Sequence, residues 1–419
     1  MYGSQKPDTR KGRTEMNKIA NPSIMGATCL GVLLISNMAL AGTKPDMPTI
    51  DISSQADRHV IVAAGTEEIY QGHPHTLLLP DGKTIFCIWT EIHGWGAPHM
   101  KRSDDGGKTW SDELPLPEGW EPYGKDPTIH RIVGPDNKER LLLSDRKPPP
   151  PGEEETPYVQ AISEDMGKTW TKMKRNGLVG IVSPMSILPV EGGKKHLLWM
   201  HRGTGGNLLT VWQAESTDGG MTWKNYHKVC EVPGSDPCEP AVVRSPDGKQ
   251  LLCLMRENRL GSGRDARPAL MMFSNDEGKT WSKAVEAPWG LGGHRHCPRY
   301  APDGRLVVAF RDRAPDSPTW GHFCAWIGTY EDIQEDRPGQ YRIKLLHSHA
   351  GEDCGYPGLE LLPDGTFVAT TYIKYKPGPE KHSVVSMRFK LDELDQRVGR
   401  TVIEAPLIEA VIEGPAEGR

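Results

Sequence analysis

Residues 103–110 read SDDGGKTW, and the same eight-residue pattern, Ser-x-Asp-x-Gly-x-Thr-Trp, occurs three more times in the chain. The further copies are SEDMGKTW at 163–170, STDGGMTW at 216–223 and SNDEGKTW at 274–281. The first residues of consecutive copies are 60, 53 and 58 positions apart. Repetition at this period, in a chain with many short apolar runs and turn residues, is typical of a propeller or another array of repeated units.

The chemistry of this motif, the Asp box, indicates a tight turn. The Ser and Asp side chains can accept hydrogen bonds from nearby backbone N–H groups, and the glycine tolerates a positive φ angle. The closing tryptophan offers a large apolar surface that can anchor the turn against a sheet. Four copies at near-constant spacing therefore predict four equivalent turns on four equivalent sheets.

A second repeat runs at the same period. Six segments each contain a proline near the start of a short apolar strand, then a turn of the Asp-Gly type, then a second apolar strand. The residues before these prolines are His73, Asp126, Ser183, Glu239, Cys297 and Tyr356. An Asp-Gly turn between apolar runs predicts a β-hairpin. Six hairpins with outer strands between them predict an all-β fold, a six-bladed β-propeller with four-stranded antiparallel blades.

Hairpin geometry predicts where a functional site would lie. The second strand returns to the end at which the first begins, so the residues before the prolines share one face with the ends of the second strands. Those ends carry Glu91, Asp145, Arg146, His201, Arg202, Arg256, Glu257, Arg311, Asp312, Arg313 and Tyr372. These groups vary between repeats while the turn residues stay alike, as expected if the scaffold is shared and the site is not. We therefore expect the site at one mouth of the central channel.

The composition limits other functions. The chain has 419 residues, of which 25% are charged and 37% hydrophobic, and a net charge of −5. These values are ordinary for a soluble globular protein and give no argument for binding nucleic acid or an anionic membrane surface. The sequence contains no Cys-x-x-Cys pair or other metal-ligand spacing, so no metal or other cofactor is expected. We expect a monomer that acts on a glycan or glycoconjugate and does not insert stably into a membrane.

The N-terminal region predicts export. From Met16 the sequence reads MNKIANPSIMGATCLGVLLISNMALAG, with a basic start, an apolar centre and a small-residue cleavage site at Ala39-Leu40-Ala41. This pattern is typical of a secretory signal peptide cleaved after Ala41, and the apolar run is short for a membrane anchor. The expected location is secreted or periplasmic. The expected boundaries are 1–41 for an extension and signal peptide, 42–57 for a linker, 58–390 for the propeller and 391–419 for a C-terminal tail.

Export would permit disulfide bonds. Cys87, Cys253 and Cys324 lie within apolar strand runs and are predicted to be buried thiols. Cys230 and Cys238 flank a Pro-Gly loop and could pair.

The Asp boxes, the six-blade period and two segments of the second half together resemble the sialidase (neuraminidase) superfamily. The segment CEPAVVRSPDGKQLLCLMREN places Glu239 at the start of one blade and Arg256 at the end of the paired strand. The segment CGYPGLELLPDG places Tyr356 at the start of the last blade. Sialidases have a Glu, an Arg, a later Arg and a Tyr in this order at these blade positions. Arg311 matches the later Arg, with Arg313 as its neighbour.

The resemblance implies a retaining exo-α-sialidase, a glycoside hydrolase that removes terminal sialic acid or a related acidic sugar. Arginines would grip the carboxylate that sialic acid carries on its anomeric carbon. A carboxylate nucleophile would be repelled by that group, so a neutral tyrosine, Tyr356, would take its place, with Glu239 as its base. A separate acid must protonate the leaving oxygen.

Two departures from the family pattern point to a divergent member. Where sialidases have an arginine opening the first blade, this chain has His73-Pro74-His75. No aspartate occurs around residues 95–99, where the acid of the family should lie; Glu91, His93, His99 or Asp126 could replace it. Arg295 or His296 could restore the lost contact to the anion.

The departures leave two alternatives open. One is a glycosidase or lyase acting on another acidic or sulfated glycan. The other is a carbohydrate-binding propeller without catalysis.

Overall fold

The computed structural model describes residues 47–149, 151–152, 156–203, 208–258 and 268–399. Within these ranges the apolar runs form six sheets arranged around a central channel as the blades of a propeller, and only short helices occur. The predicted six-bladed all-β fold is therefore confirmed.

The strands follow the predicted hairpin repeat. Two strands precede the first blade: β1 (Thr49–Asp51) and β2 (His59–Ala63). The first three blades contain β3 (Gln71–Leu78), β4 (Ile85–Glu91), β5 (Pro98–Ser103); β6 (Thr128–Val133), β7 (Glu139–Arg146), β8 (Pro157–Ser163), β9 (Lys174–Val179); and β10 (Ser186–Val190), β11 (Lys195–Gly203), β12 (Leu209–Ser216), β13 (Lys224–Cys230). The last three contain β14 (Pro237–Arg244), β15 (Leu251–Glu257), β16 (Leu270–Ser274), β17 (Val285–Glu286); β18 (Gly293–Tyr300), β19 (Leu306–Asp312), β20 (Phe323–Gly328), β21 (Tyr341–Leu346); and β22 (Cys354–Leu361), β23 (Phe367–Ile373), β24 (Ser383–Phe389). The α-helices are α1 (Tyr330–Gln334) and α2 (Leu391–Asp395), and single 3-10 turns lie at Ala56–Arg58, Trp289–Leu291 and Gln396–Val398.

The ring closes through a strand from outside the hairpin repeat. Strand β2 pairs antiparallel with β24 and is the outermost strand of the sixth blade, while β1 pairs parallel with β21 and extends the fifth blade to five strands. The first blade has the three strands β3, β4 and β5 within the described residues. The inner strand β22 of the sixth blade contacts β3 of the first. The segment before the first blade therefore completes the last one.

The hydrophobic core lies between neighbouring blades. Side chains alternate across a strand, so the second strand of a blade sends apolar residues to both sides. In β4, Phe86 and Ile88 pack in one cluster with Leu141 of the second blade. From the same strand, Trp89 packs on the opposite side with Val384 of the sixth blade. Each blade is thus covered by its two neighbours.

The Asp boxes make the same hydrogen bonds in all four copies. In the second copy, the Ser163 hydroxyl accepts from the Gly167 N–H at 2.8 Å and donates to Asp165 at 2.8 Å. The Asp165 carboxylate accepts from the Thr169 N–H at 2.9 Å and from its hydroxyl at 2.6 Å. The other three copies repeat these contacts. The bonds from Thr169 lower the pKa of Asp165 to about 2, so its carboxylate holds the turn as an anion.

The glycine of each Asp box also sets the distance to the preceding blade. Gly167 has φ +85°, and a Cβ atom built there would lie 2.5 Å from the Phe86 ring of the first blade. A Cβ atom at Gly278 of the fourth blade would lie 2.5 Å from Leu197 of the third. These turns therefore hold their blades close against the preceding blade.

The propeller extends past both predicted boundaries. Strand β1 lies within residues 42–57, which the sequence predicted to be a linker. At the other end, Leu391 and Leu394 of α2 are buried in the core between the fifth and sixth blades, and the Arg305 side chain pairs with Asp395 at 2.7 Å. Residues 391–399 thus belong to the propeller and not to a tail. The predicted signal peptide at 1–41 and the rest of the predicted tail lie outside the described residues.

The cysteines between Cys87 and Cys354 are all free thiols. Cys87, Cys253 and Cys324 are fully buried, as predicted. Cys230 and Cys238 are also buried and do not form the disulfide that the sequence left open. Within the described ranges, no helix is long and apolar enough to cross a membrane.

We expect Gly167→Ala to destabilise the protein by about 2–4 kcal/mol, because it combines a strained left-handed backbone with a clash against Phe86. The matched control is Gly365→Ala, where φ is +79° and no atom lies within 4 Å of the added methyl group; we expect a loss of about 1–2 kcal/mol there. Chemical denaturation of both variants gives the comparison. Equal losses would show that the contact between the first two blades is not tight.

Candidate active site

Five residues that are not glycine adopt a left-handed backbone near the start of an inner strand. They are His73 (φ 50°), Asp126 (φ 57°), Glu239 (φ 51°), Arg295 (φ 60°) and Tyr356 (φ 51°). All except Asp126 lie where the pairing between the first two strands of the blade shifts register. Such bulges re-aim side chains, and strained residues of this kind concentrate at functional sites. All five side chains are at least nine-tenths buried and lie together at one mouth of the channel; we call them the mouth residues.

In the fifth blade, the residue that enters the mouth lies two positions earlier than the sequence predicted. The sequence placed Cys297 at the start of this blade, but the structure puts Arg295 at the bulge. Arg295 precedes Asp303 of the hairpin turn by eight positions, the same interval that separates Tyr356 from Asp364. The spacing to the turn, and not the proline, was therefore the signal that identifies the residue entering the mouth.

Tyr356 lies at the centre of the mouth residues. Its hydroxyl donates to Glu239 Oε1 at 3.3 Å. The His73 ring stacks on the tyrosine ring, with 4.0 Å between centroids and 11° between planes. The Arg295 guanidinium carbon lies 3.5 Å from the same centroid. Two groups this close must occupy opposite faces of the ring, so the ring is clamped with its hydroxyl directed at Glu239.

Glu239 is ionised and Tyr356 is neutral. Burial opposes the charge of Glu239, but the guanidinium of Arg256, 3.1 Å away, and that of Arg295 outweigh it and lower its pKa to about 2. Burial, together with the negative charges of Asp126 and Glu239, raises the pKa of Tyr356. A neutral phenol thus faces a carboxylate that can accept its proton when the phenol oxygen attacks an electrophile.

On the side of Tyr356 covered by His73, a chain of polar contacts joins His73, Asp126 and Arg146. His73 Nδ1 contacts Asp126, whose second oxygen accepts from Arg146 Nη2 at 2.8 Å. Burial is the largest influence on His73 and lowers its pKa, so the ring is a neutral donor. Burial works against ionisation of Asp126, yet His73 and Arg146 together hold its pKa well below the usual range. Asp126 is therefore a fixed anion.

Arginines from the ends of second strands border Glu239. Arg311 Nη2 contacts His294 Nδ1 at 2.9 Å, and Arg311 Nη1 donates to the backbone carbonyl of Glu352 at 2.8 Å. Arg313 pairs with the Glu352 side chain. Burial and the neighbouring charges of Arg311 and Arg256 lower the pKa of Arg313 to about 10. Arg311 and Arg256 therefore lie close enough to Arg313 to make its charged form less favourable.

Two of the buried arginines lack an ion-pair partner. In the described part of the chain, no carboxylate oxygen lies within 4.0 Å of a side-chain nitrogen of Arg295 or Arg311. Arg295 Nε and Nη1 are buried and make no hydrogen bond there. Guanidinium groups recognise carboxylates through paired hydrogen bonds, so this mouth is suited to an anionic ligand.

Comparison with known proteins agrees with this architecture. Residues 127–310 match the family model of the BNR repeat-like domain. The structure aligns with a Trypanosoma rangeli sialidase in complex with sialic acid at a TM-score of 0.51 and 15% identity, over 79% of this chain and 56% of that chain. The chain is thus similar to the BNR repeat-like family over residues 127–310, and it shares the propeller fold of the sialidase.

Other solved structures align with this chain over most of their own length. An α-L-arabinofuranosidase from Fusarium graminearum, in complex with an iminosugar inhibitor, aligns at a TM-score of 0.60 and 15% identity, over 80% of this chain and 98% of that chain. A protein of unknown function from Dyadobacter fermentans aligns at 0.59 and 18% identity, over 79% and 100% of the two chains. Identities this low show a shared fold alone. No curated protein matches the sequence significantly.

Most residues predicted for the site come together. Seven lie in or against the mouth: Tyr356, Glu239, Asp126, His73, Arg295, Arg256 and Arg311. His296, which follows Arg295, does not join them; its Nε2 contacts the carbonyl oxygen of Leu291 at 2.8 Å and its ring stacks on Phe310 at 5.6 Å. Successive residues of a strand face opposite sides, so His296 enters the core between blades.

Glu91 also faces away from the mouth. Its carboxylate lies 3.3 Å from His99 Nε2 of the third strand, β5. Trp89, two positions earlier and on the same face of β4, stacks on the same histidine at 5.2 Å between centroids. Glu91 therefore lies over the outer part of the first blade.

Asp353 is a part of the mouth that sequence reasoning missed. Its carboxylate accepts from the hydroxyls of Tyr70 and Tyr372 at 3.1 Å each, and lies 3.3 Å from His93 Nδ1 and 3.1 Å from His382 Nε2. It lies in the connection before β22, which contains no repeated motif from which its position could be predicted. The available signal was the acidic pair Glu352-Asp353 directly before Cys354-Gly355-Tyr356.

We expect Arg256→Met to destabilise the protein by about 2–4 kcal/mol at pH 7, because it leaves the buried Glu239 charge with less compensation. The folded pKa of Glu239, about 2, lies below the ordinary 4.5, so its ionisation stabilises the fold above pH 4.5 and that contribution is lost as the pH falls towards 2. Without Arg256 the folded pKa rises, so the loss of stability is larger at pH 7 than at pH 4.

Urea denaturation of wild type and variant at pH 7 and pH 4 measures this difference. Lys249→Met is the control, since it removes an exposed side chain 3.5 Å from Asp247, and we expect no resolvable change at either pH. A loss for Arg256→Met that is the same at both pH values would contradict the assigned charge state of Glu239.

Proposed function

We propose that the protein is a glycoside hydrolase that removes a terminal sialic acid, or a related sugar with a carboxylate beside its anomeric carbon, from glycans. The observation that carries this proposal is the Tyr356 hydroxyl directed at ionised Glu239, in a mouth where the guanidinium groups of Arg295 and Arg311 have no ion-pair partner among the described residues. The sialidase aligned above was solved with sialic acid and the arabinofuranosidase with an iminosugar inhibitor, which supports a carbohydrate ligand at this mouth.

The nucleophile follows from the charge of the substrate. A carboxylate would be repelled by an acidic sugar, whereas neutral Tyr356 is not. In the first step, Tyr356 Oη forms a bond to the anomeric carbon, its proton passes to Glu239, and the bond from that carbon to the leaving oxygen breaks with protonation of that oxygen. In the second step, water attacks the same carbon and gives one proton to the conjugate base of the acid that protonated the leaving oxygen, the Tyr356 bond breaks, and Glu239 returns its proton to the phenol. The configuration is retained because the carbon is displaced twice.

The arginines orient the anion. Arg256 is held by Glu239 at 3.1 Å, while Arg295 and Arg311 have no ion-pair partner among the described residues and are the guanidinium groups that we propose for the sugar carboxylate. The first blade supplies His73, where the sialidase pattern has an arginine, and His73 is a neutral donor to Asp126. Arg295, on the opposite face of Tyr356, supplies a cation in its place. This exchange favours an acidic sugar but allows one other than sialic acid.

We propose, from the predicted signal peptide, that the enzyme is exported after cleavage at Ala41 and acts on glycoconjugates as a monomer.

We expect Tyr356→Phe to lower kcat for release of 4-methylumbelliferone from its α-sialoside by at least about 10³-fold, because the nucleophilic oxygen is removed. The control is Tyr341→Phe, which removes another buried hydroxyl that donates to a carboxylate, Asp395 at 2.9 Å, at the outer edge of the propeller. We expect that variant to retain near wild-type activity.

The outcomes separate the alternatives. If wild type is inactive on the sialoside but cleaves a uronate or sulfated glycoside and loses that activity with Tyr356→Phe, the sugar is wrong and the mechanism stands. Glycan binding without turnover on a panel of acidic glycosides would identify a binding propeller and contradict the proposal.

We expect Arg295→Met to weaken binding of an unsaturated sialic acid analogue roughly 30- to 150-fold, equivalent to about 2–3 kcal/mol for a lost charge-assisted contact. The methyl ester of the same analogue should bind wild type and variant with similar affinity, because it lacks the charge that Arg295 would recognise. Calorimetric titration of both ligands measures the effect. Equal weakening of acid and ester would show that Arg295 acts through Tyr356 packing and not on the anion.

A further inference from the structure

The proposed reaction needs a proton donor, and three of the four residues that the sequence offered for this role, Asp126, Glu91 and His99, do not fit. His99 on β5 is held between the carboxylates of Glu91 at 3.3 Å and Glu113 at 2.9 Å. Asp126 is closed between His73 and Arg146 and carries a fixed negative charge. Glu91 faces His99 over the outer part of the first blade. The donor must instead be a titratable group that lies beside Tyr356 and reaches solvent, where the leaving group departs.

We propose that His93, positioned by Asp353, is the general acid and base of this site; this inference rests on the proposed function. His93 follows β4 in the connection to β5. Its ring meets the His73 ring edge to face, with 4.5 Å between centroids and 78° between planes. His73 in turn stacks on Tyr356 at 4.0 Å. His93 is therefore one ring removed from the nucleophile.

The exposure of His93 sets it apart from the other groups around Tyr356. Its side chain is 54% exposed, whereas His73 and Asp126 are 1% or less. The imidazole is the side chain whose ordinary pKa lies nearest neutral pH, so it can both give and take a proton during a catalytic cycle. An exposed imidazole at the rim of a buried nucleophile is placed to meet the leaving oxygen and, later, the attacking water.

Asp353 fixes the orientation of this ring. Its Oδ1 lies 3.3 Å from His93 Nδ1, and the Tyr70 hydroxyl lies 3.3 Å from the same nitrogen. Tyr70 and Tyr372 donate to the carboxylate, which holds it in place from the other side. A carboxylate at Nδ1 keeps a proton on that nitrogen and leaves Nε2 for exchange, as in other histidines paired with an aspartate. Asp353 is thus a positioning residue and does not itself contact the substrate.

The proton balance is complete with these groups. In the first step, His93 Nε2–H protonates the leaving oxygen as its bond to the anomeric carbon breaks and Tyr356 Oη bonds to that carbon. His93 is then neutral. In the second step, Nε2 takes a proton from the water that attacks the anomeric carbon, which releases Tyr356 and restores the charged imidazole.

The test compares leaving groups. A sialoside of 4-methylumbelliferone releases a stable phenolate and needs little protonation, whereas sialyllactose releases a sugar alkoxide that must be protonated. We expect His93→Gln to lower kcat/KM for sialyllactose roughly 10²- to 10⁴-fold and for the activated sialoside by less than about tenfold. Asp353→Asn should show the same imbalance with a smaller amplitude. His227→Gln, an exposed histidine on the outer strand β13, is the control and should change neither substrate.

Two different failures can be told apart. The proposed function stands if wild type cleaves both substrates and Tyr356→Phe cleaves neither. In that case the role of His93 is overturned if His93→Gln lowers kcat/KM by the same factor for both substrates, or leaves it unchanged for both. If wild type cleaves neither these nor other acidic glycosides, the function itself is overturned. Unchanged affinity of His93→Gln for the unsaturated analogue confirms that the variant is folded at the mouth.

Discussion

Each blade of this propeller buries its faces only against the two neighbouring blades, so the structure depends on closing the ring. A single blade is a small sheet with apolar residues on both sides, and it has no stable state with either face in water. Strand β2, from before the first blade, completes the last blade and removes the open edge. In the first four blades an Asp box follows the third strand, where its glycine allows a close approach to the preceding blade. Closure makes the inner strands a rigid frame.

That frame supports a costly arrangement at the mouth. A left-handed backbone at a residue that is not glycine costs about 1–3 kcal/mol, and five such residues occur at equivalent positions around the channel. The strain has a common result, because each bulge turns a polar or aromatic side chain out of the blade and into the channel. Blades with similar turns thus place five different side chains together in the channel.

The mouth also separates balanced charges from unbalanced ones. Asp126 is paired with Arg146, and Glu239 with Arg256, so both carboxylates stay ionised although they are buried. Arg295 is stacked on Tyr356 without a carboxylate beside it in the described residues. A buried cation of this kind is expensive until an anion arrives, and this is the reason for proposing an acidic substrate.

The amino-acid sequence by itself determined the period, the number of blades and most of the mouth. Asp-box and hairpin signals are local, because their hydrogen bonds join residues a few positions apart. Each repeat can therefore be recognised from its own sequence. The same period placed Glu239, Arg256 and Tyr356 at one end of the channel before any contact was known. Only the tertiary structure decided the strand that closes the ring, the register of Arg295, and the position of Asp353 beside His93. These depend on packing between segments far apart in sequence and on connections that carry no repeat, and no local pattern records such contacts.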